Sequence, residues 1–482
     1  MSVYPSVEYG AKAILRELLS YKSAVFAIII LSLLIVISIY AVVAIPYDEA
    51  IRLWRAGEET WLKNPRNAAP VWWEYIVGKK LPRTIILSTL EGKGAEKKVE
   101  TRDGKVHVTI TFRFDYQYDD FPKGISIFFY AKFHERRRPV IKIYWRKPSG
   151  DEIFIRSYEL RASDDKYYVD QDLKLVPKLE MYLTKKLGKK PEYRVMVERA
   201  LFVAYTGKLE PLKGQYEVRL EADLEEGEDL NAELIIYGKV HGIAGTDHLR
   251  RPLEIALIWG TPIALAFGLT ASLVTTLLQL VIATVSGWYG GAVDSVIQRI
   301  TEIYMVLPFL PILIMVSMFY KLDIWVLLLV VIVLSIFGSG VKTTRALVMQ
   351  IKNYPYVEAA LAYGASGKRI IFLYIIPKIL PPVVPGLIQA VPSYVFLEAA
   401  LAFLGLGDPY IPTWGKVIND AFSNGALYKG YYYWVLEPSA MLVLTALAFA
   451  NLGFALDKIV NPKLRAVSYT HLRAHETEAD LV

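Results

Sequence analysis

Cysteine is absent from the 482 residues, which excludes disulfides, thiolate catalysis and cysteine-ligated zinc or iron–sulfur centres. Histidine is scarce. His107, His134, His241, His248, His471 and His475 all lie outside the long apolar runs, so a metalloenzyme embedded in a membrane has no histidine to use. One-sided charge is lacking where charge is dense. Residues 46–254 hold 38 basic and 34 acidic side chains, a near balance that argues against the basic stripe of a nucleic-acid face. The same stretch has no metal-ligand spacing, no nucleophile elbow and no glycine-rich phosphate loop. Gly364-Ala365-Ser366-Gly367-Lys368 fails as a phosphate loop, because four residues do not separate its glycines and Arg369 stands where Ser or Thr would meet magnesium.

Charge is also missing from most of the chain. The 273 residues outside 46–254 carry 31 charges, against 72 in the 209 inside it. Apolar runs long enough to cross about 30 Å of hydrocarbon occur at Ser23–Ile45 and near 256–284, 303–320, 324–341, 381–404 and 434–456. The first is longer than a signal-peptide core and leads into Pro46-Tyr47-Asp48-Glu49, as a retained anchor does. Leu307-Pro308-Phe309-Leu310-Pro311 interrupts the third, which helix neighbours in a bundle can tolerate. The expected fold is therefore an α-helical polytopic membrane protein of six transmembrane helices with one inserted domain.

Basic residues orient it. Lys12, Arg16 and Lys22 place the N-terminus in the cytoplasm. Residues 46–254 then fall outside. The stretch 342–380 falls inside with Lys342, Arg345, Lys352, Lys368, Arg369 and Lys378 against Glu358 alone. The outer loop 405–432 is balanced, and Lys458, Lys463 and Arg465 follow the last span on the inside.

The insert reads as an extracytoplasmic α+β domain. From Val106 to Tyr118, apolar residues alternate with His107, Thr109, Thr111, Arg113, Asp115 and Gln117, a strand with one buried face after an Asp103-Gly104 turn. Further strands are expected at Ile125–Phe133, Val140–Trp145, Ile153–Tyr158, Tyr216–Leu224 and Leu234–Tyr237, and helices at 171–188 and 193–206. Glu135-Arg136-Arg137-Arg138 reads as a solvated turn.

The stretch from Tyr354-Pro355-Tyr356-Val357-Glu358-Ala359-Ala360 through Gly364, Lys368 and Arg369 to Ile375-Ile376-Pro377 resembles the Glu-Ala-Ala loop of ABC importer permeases of the dipeptide/oligopeptide type. Gly260-Thr261-Pro262, Gly287-Trp288-Tyr289-Gly290-Gly291, Leu307–Pro311, Ala399–Gly407 with Pro412-Thr413-Trp414-Gly415, and Leu444–Gly453 are similar to other segments of that family. The likeness covers roughly 245–465. It departs at Leu249-Arg250-Arg251-Pro252, where the family has Leu-Gly-Arg-Asp, and the 209-residue insert has no counterpart. Ser468-Tyr469-Thr470-His471-Leu472-Arg473-Ala474-His475-Glu476-Thr477 reads as a translated sequencing adapter, so 466–482 is treated as a non-native tail.

The resemblance implies a permease that moves peptides or related small solutes by alternating access and is not itself an enzyme. It implies a coupling loop of Glu358, Ala359, Ala360, Gly364, Lys368, Arg369 and Pro377, with Glu398, Pro308 and Pro311 as translocation-pathway candidates. The implied partners are a second permease in a heterodimer, two cytoplasmic ATPase subunits that use ATP and magnesium, an extracytoplasmic binding protein and the lipid membrane. No metal or cofactor is expected on this chain. A membrane-anchored receptor or sensor is the alternative, but six spans exceed what an anchor needs. A polytopic membrane enzyme would require clustered His, Asp or Cys that the spans lack.

Overall fold

The computed structural model describes residues 11–460 apart from 103–104, 135–137, 207–208 and 321–322. The Asp103-Gly104 turn, most of the 135–138 run and the tail from 461 lie outside the described residues. The chain divides into two units, one comprising residues up to Arg55 and from Ile255 onward, the other Ala56–Glu254. The short helix Tyr47–Arg55 groups with the helical unit, so the division falls after Arg55 rather than at 46.

Among the described residues of the helical unit, four helices are long and apolar enough to cross a membrane: Lys22–Ala44, Leu253–Tyr289, the continuous run Gly367–Phe403, and Tyr433–Val460. Two bent pairs bring the candidates to six. Gly291–Val306 and Phe309–Tyr320 meet at 76°, and Ile324–Ser335 and Ser339–Lys352 at 49°. The expected span 303–320 is broken at Leu307-Pro308, between the end of one helix and the start of the next. Pro308 offers no amide hydrogen and drives Leu307 into extended backbone (φ −64, ψ 133). The helix after it has 12 residues, or about 18 Å at ~1.5 Å per residue, short of a full crossing by itself. The expected span 324–341 likewise stops at Ser335 and restarts at Ser339.

Small residues let these helices approach closely. A Cβ on Gly415 would sit 2.4 Å from the Ala399 carbonyl oxygen. Ala24 packs with Leu18, Ala455 and Ile459, while Ile30 and Leu34 pack with Leu442, Ala448 and Phe449. Those positions recur at helical spacing on Lys22–Ala44, leaving Phe26, Ile29, Leu33 and Val36 exposed.

The other unit is built from two antiparallel sheets. One has the order β1 (Ile85–Ser88), β9 (Asp229–Tyr237), β4 (Gly124–Lys132), β7 (Asp164–Tyr168). The other runs β2 (Ala95–Arg102), β3 (Lys105–Tyr116), β8 (Gly214–Leu224), β5 (Val140–Arg146), β6 (Glu152–Glu159). Inward residues of both form one core around Trp145, Tyr116, Phe112, Phe129 and Phe202. Alternation along β3 buries Val108, Ile110, Phe112, Phe114 and Tyr116. It turns Arg113 and Asp115 outward, as a half-buried strand requires.

The strand β1, Ile85–Ser88, is apolar but only four residues long; β2 and β7 carried little apolar signal in the sequence, for a physical reason. Each is an edge strand, and edges take charge because one side stays free of pairing. The helix expected at 193–206 reduces to Val197–Ala200. Beyond it the chain turns to bury Leu201, Phe202 and Val203 and bridges Val203 to Pro211. The helix expected at 171–188 runs Leu175–Leu187.

Candidate functional site

Tyr354 is extended ahead of Pro355 (φ −81, ψ 143), and the proline starts the helix Pro355–Ala362 from its first turn. Val357 and Ala360, three residues apart on one face, are its buried residues. Val357 joins Leu280, Val348, Ile351, Ile370, Ile375 and Ile379 in a small core. Glu358, Ala359, Leu361 and Ala362 face away and are exposed. Gly364 has φ +80, a conformation that strains any residue with a Cβ. Its amide donates to the Leu361 carbonyl at 2.9 Å and that of Ala365 to Ala360 at 3.0 Å, which closes the helix.

Ser366 then caps the next helix by accepting from the Arg369 amide at 3.4 Å. That helix continues through a widened π turn at Ile370–Ile375 into Ile376–Phe403. The widened turn lies just before Pro377, whose missing amide hydrogen disturbs the regular ladder. Lys368, Arg369 and Pro377 are exposed. Neither cation pairs with a carboxylate among the described residues. The structure thus gathers Glu358, Ala359, Gly364, Lys368, Arg369 and Pro377 into one exposed helix–turn–helix, with Ala360 as part of its anchor. Tyr363, 93% exposed, adds a large aromatic side chain at its tip.

A polar clamp holds the surrounding helices. The Arg345 guanidinium pairs with both oxygens of Asp294, which also accepts from Ser286 Oγ at 2.5 Å. Lys352 Nζ donates to the Trp288 carbonyl at 2.7 Å and lies 5.3 Å from the Trp288 ring centre. Three helices are tied together this way: the end of Leu253–Tyr289, the start of Gly291–Val306 and Ser339–Lys352. Sequence reasoning missed the clamp, having counted Arg345 and Lys352 only as orienting charges. Asp294, an acid three residues after the Gly290-Gly291 turn, was the available signal.

The remaining candidates lie apart from that surface. Glu398, on Ile376–Phe403, is 4% exposed and is hydrogen-bonded by Thr413. Pro308 lies in the break ahead of Phe309–Tyr320 and Pro311 in the first turn of that helix, and both are exposed. Among the described residues no group of three or more His, Asp or Glu side chains could hold a metal ion.

Bent and proline-rich apolar helices around an exposed helix–turn–helix define a polytopic helical membrane permease. Comparison narrows the class. Residues 279–466 match the family model described as the binding-protein-dependent transport system inner membrane component. The chain is 32% identical over 222 residues to the dipeptide transport system permease protein DppC of Bacillus subtilis (strain 168), covering 46% of this chain and 68% of that one. It is 32% identical over 223 residues to the oligopeptide transport system permease protein OppC of Escherichia coli (strain K12), covering 46% and 72%. It is 29% identical over 239 residues to the glutathione transport system permease protein GsiD of Pectobacterium atrosepticum, covering 46% and 73%. The chain belongs to this family of ABC-transporter permeases, whose members leave ATP hydrolysis to partner subunits.

Proposed function

We propose that this chain is the permease subunit of an ABC importer for peptides or chemically related small solutes. The observation that carries the reading is the exposed helix–turn–helix at Pro355–Arg369, held by Val357 and Ala360 and free on its outer face. A loose surface loop would not need that anchor. The names of similar permeases, which carry dipeptides, oligopeptides and glutathione, support the substrate class.

In this reading each bent pair makes one span, giving six. Both termini are cytoplasmic and residues 46–254 are extracytoplasmic, as the basic loops favour. Glu358, Ala359, Ala360, Gly364, Lys368, Arg369 and Pro377 form the surface for an ATPase subunit. Two such subunits, a second permease and an extracytoplasmic binding protein complete the complex. ATP and magnesium act on the ATPases, and this chain holds no cofactor. Closure of the ATPases pushes the Pro355–Ala362 helix, and the Asp294–Arg345 clamp passes the movement to three helices at once, so the cavity changes the side it faces. In this reading Glu398, Pro308 and Pro311 line the solute pathway.

Gly364→Val tests the coupling. A Cβ on Gly364 meets nothing within 4 Å, so the substitution acts through backbone strain of roughly 1–2 kcal/mol and not through a clash. In proteoliposomes holding the complete complex, uptake should fall severalfold while ATP hydrolysis persists. Full uptake by this variant would overturn the assignment of the coupling surface.

A further inference from the structure

Within the unit Ala56–Glu254 lies a cavity of about 300 Å³, at the lower end of small-molecule pockets, roughly 300–1,000 Å³. Its wall includes Glu58, Glu59, Arg66, Lys166, Tyr168 and Arg250. Arg250 is buried there, while Glu59 and Arg66 are exposed, and a buried charge is costly unless paired.

The pairing is incomplete in an informative way. Glu58 accepts from Arg66 through both carboxylate oxygens, and Arg250 Nε donates to it at 2.9 Å. Two guanidinium groups thus share one carboxylate. Glu58 is held below the usual carboxylate range by these two arginines, although burial pulls the other way. Glu59 and Lys166 complete the charged wall, and neither has an ion-pair partner among the described residues. The cavity therefore presents an excess of positive charge at the arginine pair and Lys166, and one carboxylate, Glu59, without a cation.

Arg250 is set in place with unusual firmness. Nη1 donates to the Asn64 carbonyl at 2.6 Å, and the guanidinium carbon lies 4.5 Å from the Tyr237 ring centre. These bonds use two of its five donors. Its backbone stands at φ +64, and Asn67, which follows Arg66, at φ +51. They are the two non-glycine residues with left-handed backbone among the described residues; Arg250 lines this cavity and Asn67 adjoins Arg66, which also lines it. Strain of that kind persists where surrounding structure holds it, and it gathers at ligand sites. Here Lys123 Nζ donates to the Arg66 carbonyl at 3.0 Å and to the Asn67 carbonyl, and the Asn67 amide donates to the Asp247 carbonyl at 2.9 Å.

We infer that this cavity binds a short peptide with free termini, its α-carboxylate met by Arg66, Arg250 and Lys166 and its α-ammonium by Glu59. A simple anion is repelled by Glu59 and a simple amine by the three cations, whereas a zwitterion satisfies both. That the zwitterion is a peptide rests on the importer reading; the charge arrangement does not.

The test is equilibrium binding of labelled dialanine to the full-length chain in nanodiscs, without binding protein. Saturable binding is expected. N-acetyl-dialanine and dialanine amide should compete at least about tenfold more weakly than dialanine, the scale of one lost bond to a charged group. Arg250→Gly, whose backbone conformation is one glycine adopts freely, should keep the fold and weaken binding by about tenfold. Glu59→Gln should lose discrimination against the acetylated peptide and keep it against the amide. Absence of saturable binding, wild-type affinity in both variants, or displacement by inorganic phosphate as readily as by dialanine would overturn the site. Uptake of dialanine by the complete complex, measured in parallel, separates the two claims. Uptake without this binding overturns the site alone, whereas binding without uptake of any peptide leaves the site standing and overturns the peptide-importer reading.

Discussion

The two units differ most in what they expose. In Ala56–Glu254 the interior holds Trp145, Tyr116, Phe202 and Tyr216, with ring contacts among them at 4.5–6.2 Å, while pairs such as Arg113–Glu217 lie at the surface and Arg251–Asp247 is buried. In the helical unit Ser272, Thr275, Thr284, Ser286 and Thr445 are among the buried residues, while Val43, Met318, Phe319 and Leu329 are more than half exposed. The difference teaches that the two halves meet different solvents. Water drives large apolar side chains into one core, whereas lipid offers no such force and rewards close packing of small residues.

The largest test of that contrast is a pair of truncations. Trp145→Ala removes a side chain that is 1% exposed and should destabilise the sandwich by about 3–5 kcal/mol. Phe319→Ala removes one that is 78% exposed and should alter stability within about 0.5 kcal/mol. Urea midpoints of the reconstituted full chain, followed by pulse proteolysis with cleavage sites assigned to each unit, measure both. Equal losses would erase the distinction between the two surfaces.

Next in size is the clamp. Asp294→Ala leaves the Arg345 guanidinium, 27% exposed, without its carboxylate, and should cost roughly 1–3 kcal/mol. Adding Arg345→Leu should recover much of that loss, since replacing both partners is far milder than removing one. A double-mutant cycle on complex assembly and uptake reads the coupling directly. Purely additive losses would show that the pair does not join the helices.

A third test is a pH slope that arises in the sandwich. Lys147 is 2% exposed, and Nζ donates to the carbonyls of Ala200 at 3.3 Å and Val203 at 2.8 Å. Burial pushes its ammonium down to about 7 from 10.5, with Asp151 opposing the shift. Between these values the unfolded chain binds a proton that the folded one lacks. Stability should therefore rise as pH increases from about 7 towards 10.5, and stay level with respect to this group below 7. Lys147→Met should flatten the rise in the urea midpoint between pH 7 and 9.5. An unchanged slope would assign the dependence to other groups.

What the sequence revealed follows the same division. Charge density separated the polar insert, because 72 charges among 209 residues have no place in hydrocarbon. Period-two alternation placed β3, since Phe112 and Phe114 face a core while Arg113 does not. The edge strand β2 stayed hidden because Ala95–Arg102 looks like a loop until a neighbour pairs with it, whereas the edge strand β6 showed through its alternating Ile153 and Ile155. Glu358 and Gly364 were legible through a local motif. Asp294 was not, because its partner Arg345 stands 51 residues away and only the folded bundle joins them. Arg250 showed only as a departure from a glycine. Its left-handed backbone and its place in the wall of a charged cavity emerge from the fold.

The central claim is that Pro355–Arg369 couples the spans to a cytoplasmic ATPase, and the absence of cysteine makes it directly measurable. Ala362 is exposed beside the turn, and Tyr428, in the loop expected outside, is 97% exposed. Single cysteines at these positions should be treated with a membrane-impermeant thiol reagent on intact cells. Tyr428→Cys should be labelled at once, and Ala362→Cys should remain unlabelled until the membrane is opened. Labelling of Ala362→Cys from outside would put the helix–turn–helix beyond the reach of any ATPase and contradict the account.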